Sequence, residues 1–73
     1  MSKKKHFFQF GADLNAARVD GATPAFIASQ EGHIEAVRAL GVFHADFDAA
    51  RCDGSTPLLI AAKNGHLAVV RQI

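Results

Sequence analysis

Asp20-Gly21-Ala22-Thr23-Pro24 returns as Asp53-Gly54-Ser55-Thr56-Pro57, and Gly32-His33 returns as Gly65-His66, each displaced by 33 residues. Laying residues 11–40 over 44–73 without a gap also aligns Ala12 with Ala45, Asp13 with Asp46, Ala16 with Ala49, Ala17 with Ala50 and Arg18 with Arg51. Further along, Ile27 meets Ile60, Ala28 meets Ala61, Val37 meets Val70 and Arg38 meets Arg71, so that half of the overlaid positions are identical. Self-similarity at a fixed period of roughly 20–50 residues marks units that cannot hide an apolar face alone and fold by stacking.

Each unit reads as two short helices. Thr23 followed by Pro24 is a helix start: the threonine hydroxyl can cap a free amide, and proline at the first turn gives up a hydrogen that would lack a partner anyway. Ala25, Phe26, Ile27 and Ala28 carry the helix to Gln30 and Glu31, and Gly32 stops it because glycine accepts the left-handed conformation. Thr56-Pro57 repeats the start, and the small residues Ala28, Ala61 and Ala62 would let neighbouring backbones approach closely. After Gly32-His33, the residues Ile34, Val37 and Leu40 mark one apolar stripe of a second helix, with Glu35 and Arg38 toward water. Leu67, Val70 and Ile73 reproduce that stripe, with Arg71 on the outer side. Between helix pairs, Gly11-Ala12-Asp13-Leu14-Asn15 and His44-Ala45-Asp46-Phe47-Asp48 lead through Ala-Ala-Arg to an Asp-Gly pair. Asp and Asn side chains can bond nearby amides there, and Asp-Gly is a hairpin signal, so these loops read as projecting two-stranded fingers.

The chain has 73 residues and a formal net charge of +1, which gives no overall field that selects nucleic acid or a membrane. Lys3, Lys4 and Lys5 form a short basic start that reads as solvated. The longest wholly apolar run, Leu58-Leu59-Ile60-Ala61-Ala62, falls far short of the ~20 residues a membrane-crossing helix needs. Gln9, Gly11 and Asp13 interrupt the N-terminal apolar stretch before it resembles a signal peptide, which favours a reducing, cytoplasmic setting, with the nucleus as the alternative. Cys52 is the single cysteine, so neither an internal disulfide nor a structural zinc site is expected. With one core this small, stability is expected to be thin, ~3–5 kcal/mol.

The order and spacing of Gly11-Ala12-Asp13-Leu14-Asn15-Ala16, Asp20-Gly21-Ala22-Thr23-Pro24 and Gly32-His33 resemble the ankyrin-repeat consensus. The resemblance implies an all-α, ankyrin-type helix-turn-helix solenoid with projecting β-hairpin-like loops. It divides the chain into residues 1–17, the helix tail and loop of a preceding repeat, residues 18–50, a complete repeat, and residues 51–73, a truncated one. It also implies a non-catalytic protein-protein interaction module that uses no cofactor and presents a concave surface of fingers and first helices. Carried over by position, the contact residues would be Ala17, Val19, Asp20, Ala22, Gln30 and Glu31, then Ala50, Cys52, Asp53, Ser55, Lys63 and Asn64.

The departures from the consensus carry expectations of their own. Phe26 and Leu59 stand where the family has the histidine of its Thr-Pro-Leu-His turn, exchanging a polar brace for apolar area and predicting a slightly looser turn. Gly41 replaces a helical leucine at ~1 kcal/mol in propensity. His44 replaces a helix-ending glycine and would carry left-handed strain, so residues 39–44 should be the weakest internal link. Neither end reads as a dedicated polar cap, which predicts a piece of a longer array and leaves self-association through the uncapped ends open.

Sharper chemical readings rank below this one. His33 and His66, one unit apart, suggest a metal pair, but a metal would need more ligands than the sequence supplies, so each imidazole is expected to bond backbone groups of its turn. Cys52 beside Arg51 reads as a plain loop cysteine rather than a redox-sensitive thiol. No phosphate-binding glycine loop, His-Glu-x-x-His pair or nucleophile elbow occurs, and Ser29 and Ser55 lack the flanks of an activated hydroxyl. The partner expected is another protein. Two rival readings are a regulatory ankyrin segment of a larger enzyme such as a kinase or transferase, and salt-sensitive contact of the three lysines with nucleic acid or anionic lipid.

Overall fold

The structure, a computed structural model, describes residues 15–73. The expected helix tail at 6–10 and the lysine run lie outside the described residues. Four helices follow one another: α1 (Pro24–Glu31), α2 (Ile34–Val42), α3 (Pro57–Lys63) and α4 (Leu67–Gln72). Each pair starts by the same local chemistry. Thr23 is extended, and its hydroxyl accepts the Phe26 amide at 3.2 Å, while Thr56 does the same for the Leu59 amide at 3.2 Å. A proline stands in the first turn of α1 and of α3.

The first three helices also end alike. Gly32 after α1 has φ 73°, and the next amide, that of His33, reaches back to Ala28 O at 2.9 Å. Gly65 after α3 has φ 74°, with the His66 amide on Ala61 O at 2.9 Å. After α2 the left-handed position falls to His44, at φ 65°, with its own amide on Gly41 O at 3.0 Å and the Ala45 amide on Leu40 O at 2.9 Å. This six-to-one and five-to-two closure is what satisfies orphan carbonyls at a helix end. His44 is the one non-glycine among the described residues with positive φ, so the strain expected there is present.

The two helix pairs stack side by side, α1 along α3 and α2 along α4. Ala28, Val37, Ala61 and Val69 form one buried cluster, flanked by Ile34, Leu40, Phe47 and Val70; Ala22, Phe26 and Ile60 form a second, flanked by Ile27. Two expectations are corrected here. In α4 the buried residue is Val69, whereas Leu67 and Ile73 are exposed and Val70 is half-buried. Val69 lies inside the cluster with Ala28, Val37 and Ala61, whereas Val70 packs at its edge beside Ile34 and Leu40. Ala61 is buried against α1 as expected, but Ala62 is exposed.

The fingers are tight turns, with no strand among the described residues. Arg18 N–H donates to Ala22 O at 2.9 Å and Gly21 N–H to Arg18 O at 2.8 Å; Arg51 to Ser55 O and Gly54 to Arg51 O repeat the pattern at 2.8 Å each. A single backbone bond, from Cys52 N–H to Asp20 O at 2.8 Å, joins one finger to the next.

Candidate functional site

The finger tips are fixed from within by a repeated Arg-x-Asp device. Arg18 meets the Asp20 carboxylate at 2.8 Å and Arg51 meets that of Asp53 at 2.7 Å. The same carboxylates accept the amides of Ala22 and Ser55, at 3.0 Å each. The guanidinium of Arg18, then the Ala22 amide, hold the Asp20 carboxyl below the usual carboxylate range. Asp53 is held lower still, by Arg51 first and the Ser55 amide second. Behind the tips, Asp46 Oδ1 accepts the Asp48 amide and Asn15 Oδ1 accepts the Asp46 amide, both at 2.8 Å.

With the aspartates engaged in their own turns, the middle residue of each tip is left facing water. Val19 and Cys52 are both exposed, and with Arg18 and Asp20 they line one shallow open cleft. Ala17, Ala50 and Asp53 are exposed close by, and Ser55 is half-buried. At the far ends of α1 and α3, Glu31, Lys63 and Asn64 are exposed and Gln30 is half-buried. The expected contact residues thus fall into two groups, one at the finger tips and one at the helix ends.

Ala22 belongs to neither group. It is 1% exposed and packs with Phe26 and Ile60, because the bond from its amide to Asp20 turns the methyl inward. A partner cannot reach it, which corrects the position-by-position expectation.

The two positions lacking the consensus histidine have opposite fates. Phe26 is 0% exposed, with the Arg51 guanidinium over its ring at 4.7 Å from the centroid, a cation–π contact that ties one finger to the helix of the neighbouring unit. Leu59 is 54% exposed. Both turns keep their threonine cap, so the loss of the histidine does not open them.

The histidines behave differently from what the sequence suggests. His66 bonds not its own turn but the previous unit: its Nε2–H donates to Gln30 O at 3.0 Å, beside the Asn64 Nδ2–H bond to the same oxygen at 3.1 Å. The His33 side chain makes no capping bond and is exposed. Among the described residues, no three His, Cys, Asp or Glu side chains gather where a cation could be held, and no helix is long and apolar enough to cross a membrane.

Sequence reasoning missed a hollow on the α2 and α4 side, lined by Val37, Arg38, Gly41, Val42, Phe47, Gln72 and Ile73. The bare helical Gly41 was the signal, since a missing side chain in mid-helix leaves space.

A family model of ankyrin repeats, in three copies, matches residues 4–73. The chain belongs to the ankyrin-repeat family. The four helices of the described residues, in two stacked pairs with finger turns between them, are the ankyrin helix-turn-helix architecture in all-α form. Ankyrin repeats generally mediate contacts between proteins and are typically non-catalytic. No curated protein matches the sequence.

Proposed function

We propose that this ankyrin-repeat chain is a non-catalytic binding module whose partner, a protein, is engaged at the finger tips and along the exposed ends of α1 and α3. The observation that carries the proposal is the exposed pair Val19 and Cys52, lifted side by side on turns whose charged residues are already paired internally. Apolar atoms on a turn pre-ordered by two ion pairs are set to lose little entropy on binding. Glu31, Lys63 and Asn64 would supply polarity at the other border of the surface, with Ala17, Asp20, Gln30, Ala50, Asp53 and Ser55 between or beside these anchors.

Specific interfaces bury ~1,200–2,000 Å2 in total, more than two neighbouring fingers offer, so micromolar or weaker affinity is expected for a single copy. A cytoplasmic setting, with the nucleus as the alternative, is part of the proposal: Cys52 is a free, exposed thiol that a reducing compartment keeps unpaired. The test is a photo-crosslinking side chain placed at Val19, at Cys52 or at Ala39 on α2. Adducts with a partner protein from positions 19 and 52 and none from 39 are expected. The reverse pattern, or nanomolar binding by an isolated single copy, would remove the assignment.

A further inference from the structure

We infer that Asn64-Gly65 is a site of spontaneous covalent modification, at which Asn64 loses its side-chain amide as ammonia and a tie between the two described helix pairs is cut. The sequence holds two asparagines, Asn15 before Ala16 and Asn64 before Gly65. Asparagine is a thermolabile residue, most of all before glycine, whose amide carries no side chain to shield it or to restrict its rotation. The reaction needs water and no enzyme, metal or oxidant. The Gly65 nitrogen attacks Asn64 Cγ, the Cγ–Nδ2 bond breaks, and ammonia leaves with the proton that the Gly65 amide gives up. Water then opens the succinimide ring at one carbonyl or the other, leaving aspartate or, with the backbone rerouted through the side chain, isoaspartate.

The place of the leaving group gives the site its consequence. Asn64 Nδ2–H donates to Gln30 O at 3.1 Å, and the same oxygen accepts His66 Nε2–H at 3.0 Å. These two bonds join the end of α3 to the end of α1. The nitrogen that departs as ammonia is the donor of one of them. Its replacement is a carboxylate oxygen, which only accepts, so an attraction toward the Gln30 carbonyl becomes a repulsion. Glu31-Gly32, the counterpart in the other helix pair, already carries a carboxylate and has no side-chain amide to lose.

The same junction holds the reaction back. Asn64 closes α3 at φ −91° and ψ 4°, and ring closure needs the Gly65 nitrogen turned toward Cβ by roughly a third of a turn about the Cα–C bond. That rotation breaks the bond from Gly65 N–H to Ala62 O, 3.1 Å long, and is opposed by the anchoring of Asn64 and His66 on Gln30 O. The His66 ring is itself seated against Gly32, where a Cβ would lie 2.6 Å from Nδ1. Conversion therefore proceeds through local opening of the junction, and each event removes a bond that kept the junction closed. Asn64 is exposed, so water reaches the ring once it forms.

This inference stands apart from the partner-binding proposal, because its test reads the chain alone. The full chain is held in mildly alkaline buffer, folded or in urea, and mapped by peptide mass spectrometry, where a gain of about one dalton marks each conversion. Asn64 should convert ahead of Asn15. The folded chain should convert about 10-fold more slowly than the unfolded one, and His66→Ala should recover about 5-fold of that, the scale of one hydrogen bond. Asn64→Asp, which reproduces the aspartate product, should lower the folded-to-unfolded ratio about 5-fold in urea titration. Should His66→Ala fail to fold by circular dichroism, wild type below its urea transition serves instead: conversion should rise in step with hydrogen exchange of the Gly65 amide. An Asn64 that stays intact or trails Asn15, equal rates in the folded and unfolded chain, a folded His66→Ala variant no faster than wild type, conversion that does not follow Gly65 exchange, or an Asn64→Asp variant as stable as wild type would each overturn the inference.

Discussion

The imidazole of His66 occupies the space that a side chain on Gly32 would need: a Cβ there would lie 2.6 Å from Nδ1 and 2.7 Å from Cε1. Gly32 thus answers two demands, a positive φ of 73° at the end of α1 and close approach by the neighbouring repeat. Gly32→Ala should cost about 3 kcal/mol, from left-handed strain plus overpacking. In a His66→Ala background only the strain of ~1–2 kcal/mol should remain. A double-mutant cycle from urea unfolding measures the difference, and additivity of the two substitutions would show that the ring and the glycine do not interact.

Ser29 is fully buried in α1, and its Oγ has no hydrogen-bond partner among the described residues. The next repeat carries alanine at the equivalent position, Ala62, so the backbone there accepts a methyl. Removing a buried hydroxyl that forms no bond relieves a desolvation penalty, and Ser29→Ala should stabilise the chain by ~1 kcal/mol. Its thermal midpoint should rise by roughly 4–8 °C, the shift such a gain gives a small domain. A fall in the midpoint would mean that the hydroxyl is satisfied in solution.

The features legible in the sequence were those set within a few residues. Thr23-Pro24 and Thr56-Pro57 start helices through their own hydroxyl and ring, and Gly32 ends one through its own backbone freedom, so these boundaries could be read directly. Asp20 and Asp53 were readable as turn formers for the same reason. What could not be read depended on the neighbouring unit. Phe26 and Leu59 hold the same place in the repeat, but only Phe26 has another helix and Arg51 over it. Val69 rather than Val70 fills the core of α4, where it packs with Ala28, Val37 and Ala61 from the three other helices. At the candidate surface, Val19 and Cys52 were named from the family pattern, and both are exposed. Ala22 was misplaced by that pattern, because the direction of its methyl is decided by the Asp20 bond.

The last turn of α2 combines two unfavourable residues that can be tested separately. Gly41 is helical, and a Cβ there meets nothing within 4 Å, so Gly41→Ala should gain ~1 kcal/mol from helix propensity alone. His44 holds φ 65°, and His44→Gly should gain a similar ~1 kcal/mol by releasing left-handed strain. Amide hydrogen exchange should show added protection for the Phe43 and Ala45 amides, which donate to Ala39 O and Leu40 O. If both substitutions leave exchange unchanged, this turn is not the weak internal link.

Acid should loosen the fingers before the helices. Asp20 and Asp53 have folded-state values below the ordinary 3.8, with Arg18 and Arg51 as the first cause and the Ala22 and Ser55 amides as the second. A depressed folded value means that the unfolded chain binds the proton more readily, so the contribution of these carboxylates is fully present above the ordinary value and fades as pH falls beneath it. Both groups are exposed, which keeps the effect on global stability small. The clear readout is therefore local. Carboxyl carbon chemical shifts should show Asp53 titrating at lower pH than Asp20, and both below an aspartate in an unstructured peptide. Arg51→Ala should move the Asp53 midpoint upward while leaving Asp20, whose principal partner is Arg18, much less affected. Midpoints for Asp20 and Asp53 that coincide with those of an unstructured peptide would show that the Arg-x-Asp pairs are not formed in solution, and the pre-ordered finger surface would lose its basis.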